Sequence, residues 1–438
     1  MAPLLSTFGA ASVKGFGGGL GPTVIDPVFS SSLADKTISN QTNRGLNVVA
    51  TDDNTKFIAT WYNSSTYYYR GCVITIAANG DISFGSVSNL SYNRYEGDAR
   101  NAGLIWDSAS GAAIMMSYTN YGDAKPTRVT YSGTSISLAT SGSTMYSTGN
   151  YNSPQPMDSA PNIIYNADDN VYYNLANQYS QLYVYPFTVS GSSFSYGTQR
   201  GTGITSKYEE GKTIWVGGSL DKLVSASTGY SSGSGQYWNT YGVAGYSGGT
   251  NGTWTNHTAG SNYNGTGTSN TSPAVLYHPE NNQVFLISRN GTSPRRMNFK
   301  VGTLTSTGIS SFGSLAYANP SDPSSQGSTQ YSSYSGGYYD PIAKAIIIAV
   351  QDSQYSTYLY QIVTTGNNVS EVIQIGSMGN MSPLAEGGSQ GANDYGYSAS
   401  LVYDSVHDRQ LLFYSMVYNP TTFVNYKLEV RSVTGRIG

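Results

Sequence analysis

The sequence predicts an all-β fold, a seven-bladed β-propeller built from four-stranded blades. Three observations predict it: a composition of turn and strand formers, a motif that returns about every 60 residues, and one burial pattern inside each unit. Each strand class follows from these in turn.

The chain has 438 residues, beyond the roughly 250–300 at which a single core stops growing. It is therefore several domains or a repeat array. Charged residues make up 11%, the net charge is −3, and Gly (51) and Tyr (39) are abundant. Gly, Asn and Ser supply turns while Tyr, Thr and Val supply strands. No amphipathic helix of several turns is visible. There is no Lys/Arg run to bind nucleic acid, and no stretch approaches the roughly 18 apolar residues of a membrane span. The opening residues lack the basic region of a secretory signal. The single cysteine, Cys72, excludes an internal disulfide and reads as a small buried hydrophobe. The several N-x-S/T triplets, such as those at Asn63, Asn251, Asn256 and Asn290, then read as a by-product of composition.

The repeated motif is an apolar residue, an aromatic, a turn-capping residue, a few turn formers and a second apolar run. LIWDSASGAAIMMSYTN (104–120), NIIYNADDNVYYNLANQYS (162–180), VLYHPENNQVFLISRN (275–290) and LVYDSVHDRQLLFYSMVYN (401–419) share it. Its markers are Thr51, Asp107, Asn166, His278, Asp340 and Asp404, with a degenerate copy at Gly217. Periods of this size point to propellers or solenoids. A second phrase, as in GDISFGS (80–86), GSSFSYGT (191–198) or GISSFGS (308–314), follows each marker by about 30–35 residues.

Each unit thus reads as strands A to D. Strand A ends at the marker. Strand B, as in AIIIAV (345–350), is apolar on both faces and belongs under cover. Strand C alternates, Tyr426, Leu428 and Val430 against Lys427, Glu429 and Arg431, as a half-exposed strand does. Strand D carries the second phrase. After Asp404 only strands A to C remain. Counting back from Thr51 by the usual interval assigns residues 22–29, PTVIDPVF, as the missing fourth strand of the last blade. That leaves residues 1–21 as a separate N-terminal arm and 22–438 as the propeller.

LLSTFGAASVKGFGGGLGP (4–22) resembles the opening of tail-fibre and other structural proteins of tailed bacteriophages, cyanobacterial ones especially. The resemblance covers about twenty residues and implies a virion protein, made in the host cytoplasm and present in several copies per particle. Leu4, Leu5, Phe8 and Phe16 would then anchor it to other tail or capsid proteins. The connections from strand D to the next strand A emerge on one face and are rich in Tyr, Ser, Gly and Asn, the composition of adaptable recognition surfaces. On that face the expected ligand contacts are Tyr95, Glu96, Asp98, Arg100, Tyr151, Tyr208, Glu209, Tyr331, Tyr334, Asn393, Asp394 and Tyr395. Residues 228–254 read as a projecting loop that adds Tyr237, Trp238, Tyr241 and Tyr246, rings that stack on sugars or anchor a protein. The resulting expectation is a non-enzymatic tail appendage that binds host surface glycan or another virion protein.

Two alternatives stay open: a purely structural spacer or capsid decoration, and a propeller glycoside hydrolase. The second needs two carboxylates, for which Glu96, Asp98, Asp158, Glu209, Glu210, Glu386 and Asp394 are the candidates. The S-x-D-x-G-x-x-W box of sialidase blades is absent, as is a G-x-S-x-G elbow. GFGGGLG (15–21) lacks the Lys-Ser/Thr of a phosphate loop. Three histidines, two of them at A–B turns, give no metal-ligand pattern, and no cofactor is expected. The aspartates at those turns are expected to cap them.

Overall fold

In the computed structural model of the chain, seven antiparallel sheets form a closed circle. The structure describes residues 32–39, 43–63, 66–92, 103–118, 123–147, 155–156, 163–178, 181–205, 211–231, 236–262, 273–289, 297–317, 333–341, 343–351, 357–378, 399–419 and 424–433. Among them the fold is a seven-bladed propeller of four-stranded antiparallel blades.

Every marker stands at the inner end of its blade, on or just after strand A. Strand A runs Asn43–Ala50, Leu104–Asp107, Ile163–Asn166, Gly211–Val216, Ala274–His278, Ser333–Asp340 and Ala399–Asp404 in blades one to seven. Each of these strands touches its counterpart in the next blade, so together they line the axis. Apart from Gly217, the markers are buried, and the Asp and Asn among them tie down the A–B turns. Oδ1 of Asp107 accepts from the backbone N–H of Ala109, Asp340 from Ala343, and Asp404 from Val406 and His407. Asn166 does the same for Asp168 and Asp169. The fourth residue after the marker closes the turn in the left-handed region: Gly111, Asn170, Asp221, Asn282, Lys344 and Asp408, with φ between 49° and 59°. Asn and Asp tolerate that conformation because their short side chains bond locally. The aromatic before the marker locks it, Tyr165 and Tyr277 donating to Asn170 and Asn282 at 2.9 and 2.6 Å.

Strand B is covered on both faces as its apolar run requires. In blade six Ala345 through Val350 are all buried. The core is consequently not central but lies in the seams between blades, where separate apolar clusters join neighbouring sheets. Cys72 is one of these core residues, and burial pushes its thiol up to about 12.

Strand D explains the second phrase. In blades one, two, three and five it is split, and both halves pair with strand C: Ile82–Phe84 and Ser88–Tyr92 both bond to Tyr68–Ile76. The glycine of the phrase sits where the next blade's C–D turn lies against it. A Cβ on Gly85, Gly197 or Gly313 would overlap the carbonyl oxygen of Thr134, Thr250 or Asn367. None of the three has a positive φ, so the requirement is for space alone.

The circle closes through an N-terminal strand, but not the one the spacing assigns. Ala34–Ser39 pairs antiparallel with Val424–Val433 of blade seven, Ala34 opposite Val430, and the Lys427 ammonium meets Asp35 at 3.1 Å. The spacing between phrase and marker runs from the first half of strand D. The closing strand occupies the place of the second half, nearer the next marker. Residues 22–29, like the arm 1–21, lie outside the described residues. At the axis, Ser400 of blade seven bonds both Val48 N–H and Val48 C=O of blade one.

Two further expectations change. The described part of residues 228–254 is no projecting loop: 228–231, 236–247 and 253–254 belong to the long strands Lys222–Ser231, Gln236–Ser247 and Thr253–Asn262 of blade four, with a short turn between the last two. Glu429, expected at a wet rim, is 3% exposed; it accepts the Tyr414 hydroxyl at 2.6 Å and pairs with Arg431 at 2.9 Å.

Candidate functional site

Two ends of the ring compete for function, the A–B turn end and the end bearing the D–A connections and B–C hairpins. The A–B end is occupied by structural bonding. Asp404, fully buried, holds Arg409 Nε at 2.8 Å and His407 Nδ1 at 2.9 Å. Arg409 then donates to Gly80 C=O at 2.8 Å, stitching blade seven to blade one. Between blades five and six, His278 meets Lys344 C=O, and Tyr339 donates to Glu280. Among the described residues no three His, Cys, Asp or Glu side chains gather as a metal site.

Tyr95, Glu96, Asp98, Arg100, Tyr151, Tyr208, Glu209, Tyr331, Asn393, Asp394 and Tyr395 lie outside the described residues, as do the arm residues Leu4, Leu5, Phe8 and Phe16 and the further carboxylates Asp158, Glu210 and Glu386. Tyr334 belongs to the innermost strand of blade six, opposite Val350. Tyr237 and Trp238 are in the B–C hairpin of blade four, opposite Tyr230 and Gly229. Tyr246 is buried in the seam between blades three and four, against Tyr173 and Trp254, and its hydroxyl accepts Gly252 N–H at 3.0 Å. That burial removes it from any binding face.

Tyr241 leads to a group that the sequence reading passed over. It stands opposite Ala226 on strand B, and Ala226 stands opposite Lys212 on strand A. Residues directly opposite in an antiparallel ladder share a face, so all three look the same way. That way is towards blade five: Ala226 and Tyr241 pack with Val284 and Leu286, and the Tyr241 ring meets Phe312 edge-on at 5.3 Å. On the opposing wall Ser288 is two residues beyond Leu286 and so shares its face. Asn298, paired with Ser288, shares it too. Ser288 and Asn298 are 0% and 1% exposed.

The seam between blades four and five therefore ends, on the D–A side, in an amine, a hydroxyl, an amide and a phenol. Elsewhere at this level buried hydroxyls satisfy each other, as in Ser117 with Thr127 at 2.6 Å and Thr213 with Ser225 at 3.0 Å. Lys212 differs. The residue keeps part of its surface, but its amine is crowded by protein, and desolvation brings it down to about 8. A lysine so shifted is a competent base or nucleophile near neutral pH. Its sequence signal was present: KTIWV continues as an apolar strand directly from the connector ITSKYEEG, so Lys212 is the first charged residue on the axis side of that boundary.

No family model and no curated protein matches the chain. Solved structures do. A Lactobacillus plantarum protein is 8% identical over 87% of this chain and 96% of its own, with a TM-score of 0.45. The periplasmic gluconolactonase of Pseudomonas aeruginosa is 9% identical over 76% and 85%, at 0.48. A Bacteroides uniformis protein proposed to be a 6-phosphogluconolactonase is 10% identical over 76% and 87%, at 0.43. At such identities the likeness is one of fold. The expectation of a phage tail appendage is not upheld: the similar propellers are named as bacterial proteins, two of them for a lactonase activity. The structure withdraws part of the support as well, since the described part of the segment read as a projecting aromatic loop runs mostly in strands of blade four, with Tyr241 and Tyr246 buried.

Proposed function

We propose that the protein is a hydrolase of small, hydroxyl-rich molecules bearing an ester or lactone carbonyl, acting at the D–A end of the seam between blades four and five. One observation carries this reading: a desolvated lysine on the innermost strand of blade four, in a ladder row with Ala226 and Tyr241, on the wall that packs against the blade-five wall carrying Ser288 and Asn298. A neutral amine takes a proton from water as that water attacks the carbonyl carbon. Short hydroxyl and amide groups are the partners that sugar hydroxyls require when they leave solvent.

A panel of aldonolactones and acylated sugars tests the proposal with the wild-type chain, Lys212→Met and Lys212→Arg. The expected result is turnover that rises with pH through about 8 and falls at least about 100-fold in Lys212→Met. Undiminished turnover in that variant, or none by the wild-type chain across the panel, would overturn it.

A further inference from the structure

One place at the A–B end is left out of the structural bonding. Lys222, the first residue of strand B in blade four, is 8% exposed, and its ammonium donates to Leu220 C=O at 2.8 Å. Among the described residues no carboxylate forms an ion pair with it. Asp221, whose carboxyl stands near Asp168 and Asp169 of blade three, acts on Lys222 only beyond ion-pair range. Buried charges are ordinarily paired, because the water that balanced them has been removed.

In the ladder Lys222 stands opposite Gly245 of strand C, and both belong to the wall that packs on blade five. Strand D bulges beside them: Asn256 pairs with Ala244 and Thr258 with Val243, which leaves His257 between them without a ladder partner. A bulge re-aims a side chain, and here the ring turns over Gly245. A Cβ on Gly245 would meet His257 Nε2 at 2.9 Å and Lys222 Nζ at 3.2 Å, so two basic nitrogens converge on one point beside a bare glycine. Burial and the Lys222 ammonium hold the imidazole below its ordinary value, as two basic groups do when no negative charge stands between them. The C–D turn of blade five closes the other side, where a Cβ on Gly308 would lie 3.3 Å from Thr258 Oγ1. That turn, TSTG (305–308), brings hydroxyls and no charge, and the C–D turn of blade four, GGTNG (248–252), is uncharged too.

We propose that Lys222 and His257 bind an oxyanion of the phosphate class, free or as a monoester, beside Gly245 at the A–B end of the seam between blades four and five. The site is separate from that of the proposed hydrolase and does not depend on it. A phosphate dianion balances an ammonium and an imidazolium together, whereas a carboxylate or chloride balances one. Binding therefore draws a proton onto His257 and loosens as rising pH removes it.

Histidine C2-proton spectra of the full chain, which has three histidines, test this as phosphate is added at fixed ionic strength. His257→Gln identifies the His257 signal. Inorganic phosphate is expected to move the His257 titration saturably to higher pH, while acetate and chloride leave it in place. Methyl phosphate, run in parallel, tells a free ion from an ester by which of the two binds more tightly. Lys222→Met should weaken phosphate at least about tenfold, the size of a lost charge-assisted hydrogen bond. Lys344→Met, at a side chain 68% exposed, should leave phosphate binding unchanged. Thermal stabilisation by phosphate, diminished in His257→Gln, reads the same site without the spectra. No movement of the His257 titration with phosphate, an equal movement with acetate, or one that survives in Lys222→Met would overturn the inference.

Discussion

At the scale of single residues, Lys212 carries two consequences with opposite signs. Its amine is lowered from 10.5 to about 8 by desolvation, so the fold prefers the neutral form. Below about pH 8 the amine is protonated in both folded and unfolded chains, and the folded protein bears the full cost of crowding that charge. Between about 8 and 10.5 the folded amine is neutral while the unfolded one is charged, and the cost fades; above that it is gone. Lys212→Met is therefore expected to raise stability at pH 7, by at most about 3 kcal/mol from the size of the shift, and to raise it by progressively less as pH climbs. Thermal melts at pH 7 and pH 10.5 check this. A variant that melts lower than wild type at pH 7 would show that the amine is held by favourable contacts rather than strained. Stabilisation together with lost turnover is the pattern expected when a working residue is kept at the expense of the fold.

Residue reading also marks what the sequence could and could not reveal. The Asp and Asn markers were legible because an A–B hairpin needs a side-chain acceptor at one place and a left-handed residue four positions on, and few residue types satisfy both. Cys72 was legible because a lone cysteine in an apolar strand has little else to be. Lys212 was hidden in a polar connector whose strand begins at Gly211, and only the ladder to Ala226 shows which way it faces. Tyr241 and Tyr246 look alike in sequence; their burial in two different seams follows from strand alternation, which a Gly/Ser/Tyr-rich segment conceals.

At the scale of elements, strand D is where sequence and structure part. The phrase is legible in the sequence, but the purpose of its glycine is not. That purpose is contact between blades: the C–D turn of one blade lies on the bare Cα of the blade before it. Gly313→Ala is therefore expected to destabilise by about 1–3 kcal/mol, as overpacking against an unyielding carbonyl does. Gly133→Ala, at a turn with φ of 60° and nothing within reach of its Cβ, involves backbone strain alone and should cost about 1 kcal/mol. Urea titrations of both variants decide it. If Gly133→Ala proved the more damaging, contact between blades would not be what fixes the phrase. The same split strand displaces the closing segment from where the spacing assigns it, because the interval runs from the first half of strand D whereas Ala34–Ser39 takes the place of the second. The long hairpin of blade four was misread for a related reason. Gly229 opposite Trp238 and Gly242 opposite Ser225 are ladder pairs, but glycine at such density reads as loop until the register is known.

At the scale of the whole molecule, a ring is only as stable as its last seam, because covalent continuity holds six of the seven and none of it holds blade seven to blade one except through the closing strand. Three separate devices meet there. Ala34–Ser39 adds its ladder to blade seven. Ser400 bonds the Val48 backbone beside the axis. Asp404 organises the third, for its buried carboxylate caps its own turn and aims Arg409 at Gly80 and His407 at Ala78, both on blade one. Asp404→Ala strips all of these at once and leaves the Arg409 guanidinium without its carboxylate, a change that costs about 3–5 kcal/mol where such a pair is buried. Arg409 keeps 21% of its side-chain surface, so the lower end of that range is expected. Hydrogen exchange localises the damage: amides of the blade-one turn, Ala77 and Gly80, should lose protection first, ahead of the corresponding turn of blade six, where Thr364 and Asn367 bond to blade five. Loss spread evenly over all seven blades would instead mean that the ring unfolds as one body, with no weakest seam for Asp404 to guard.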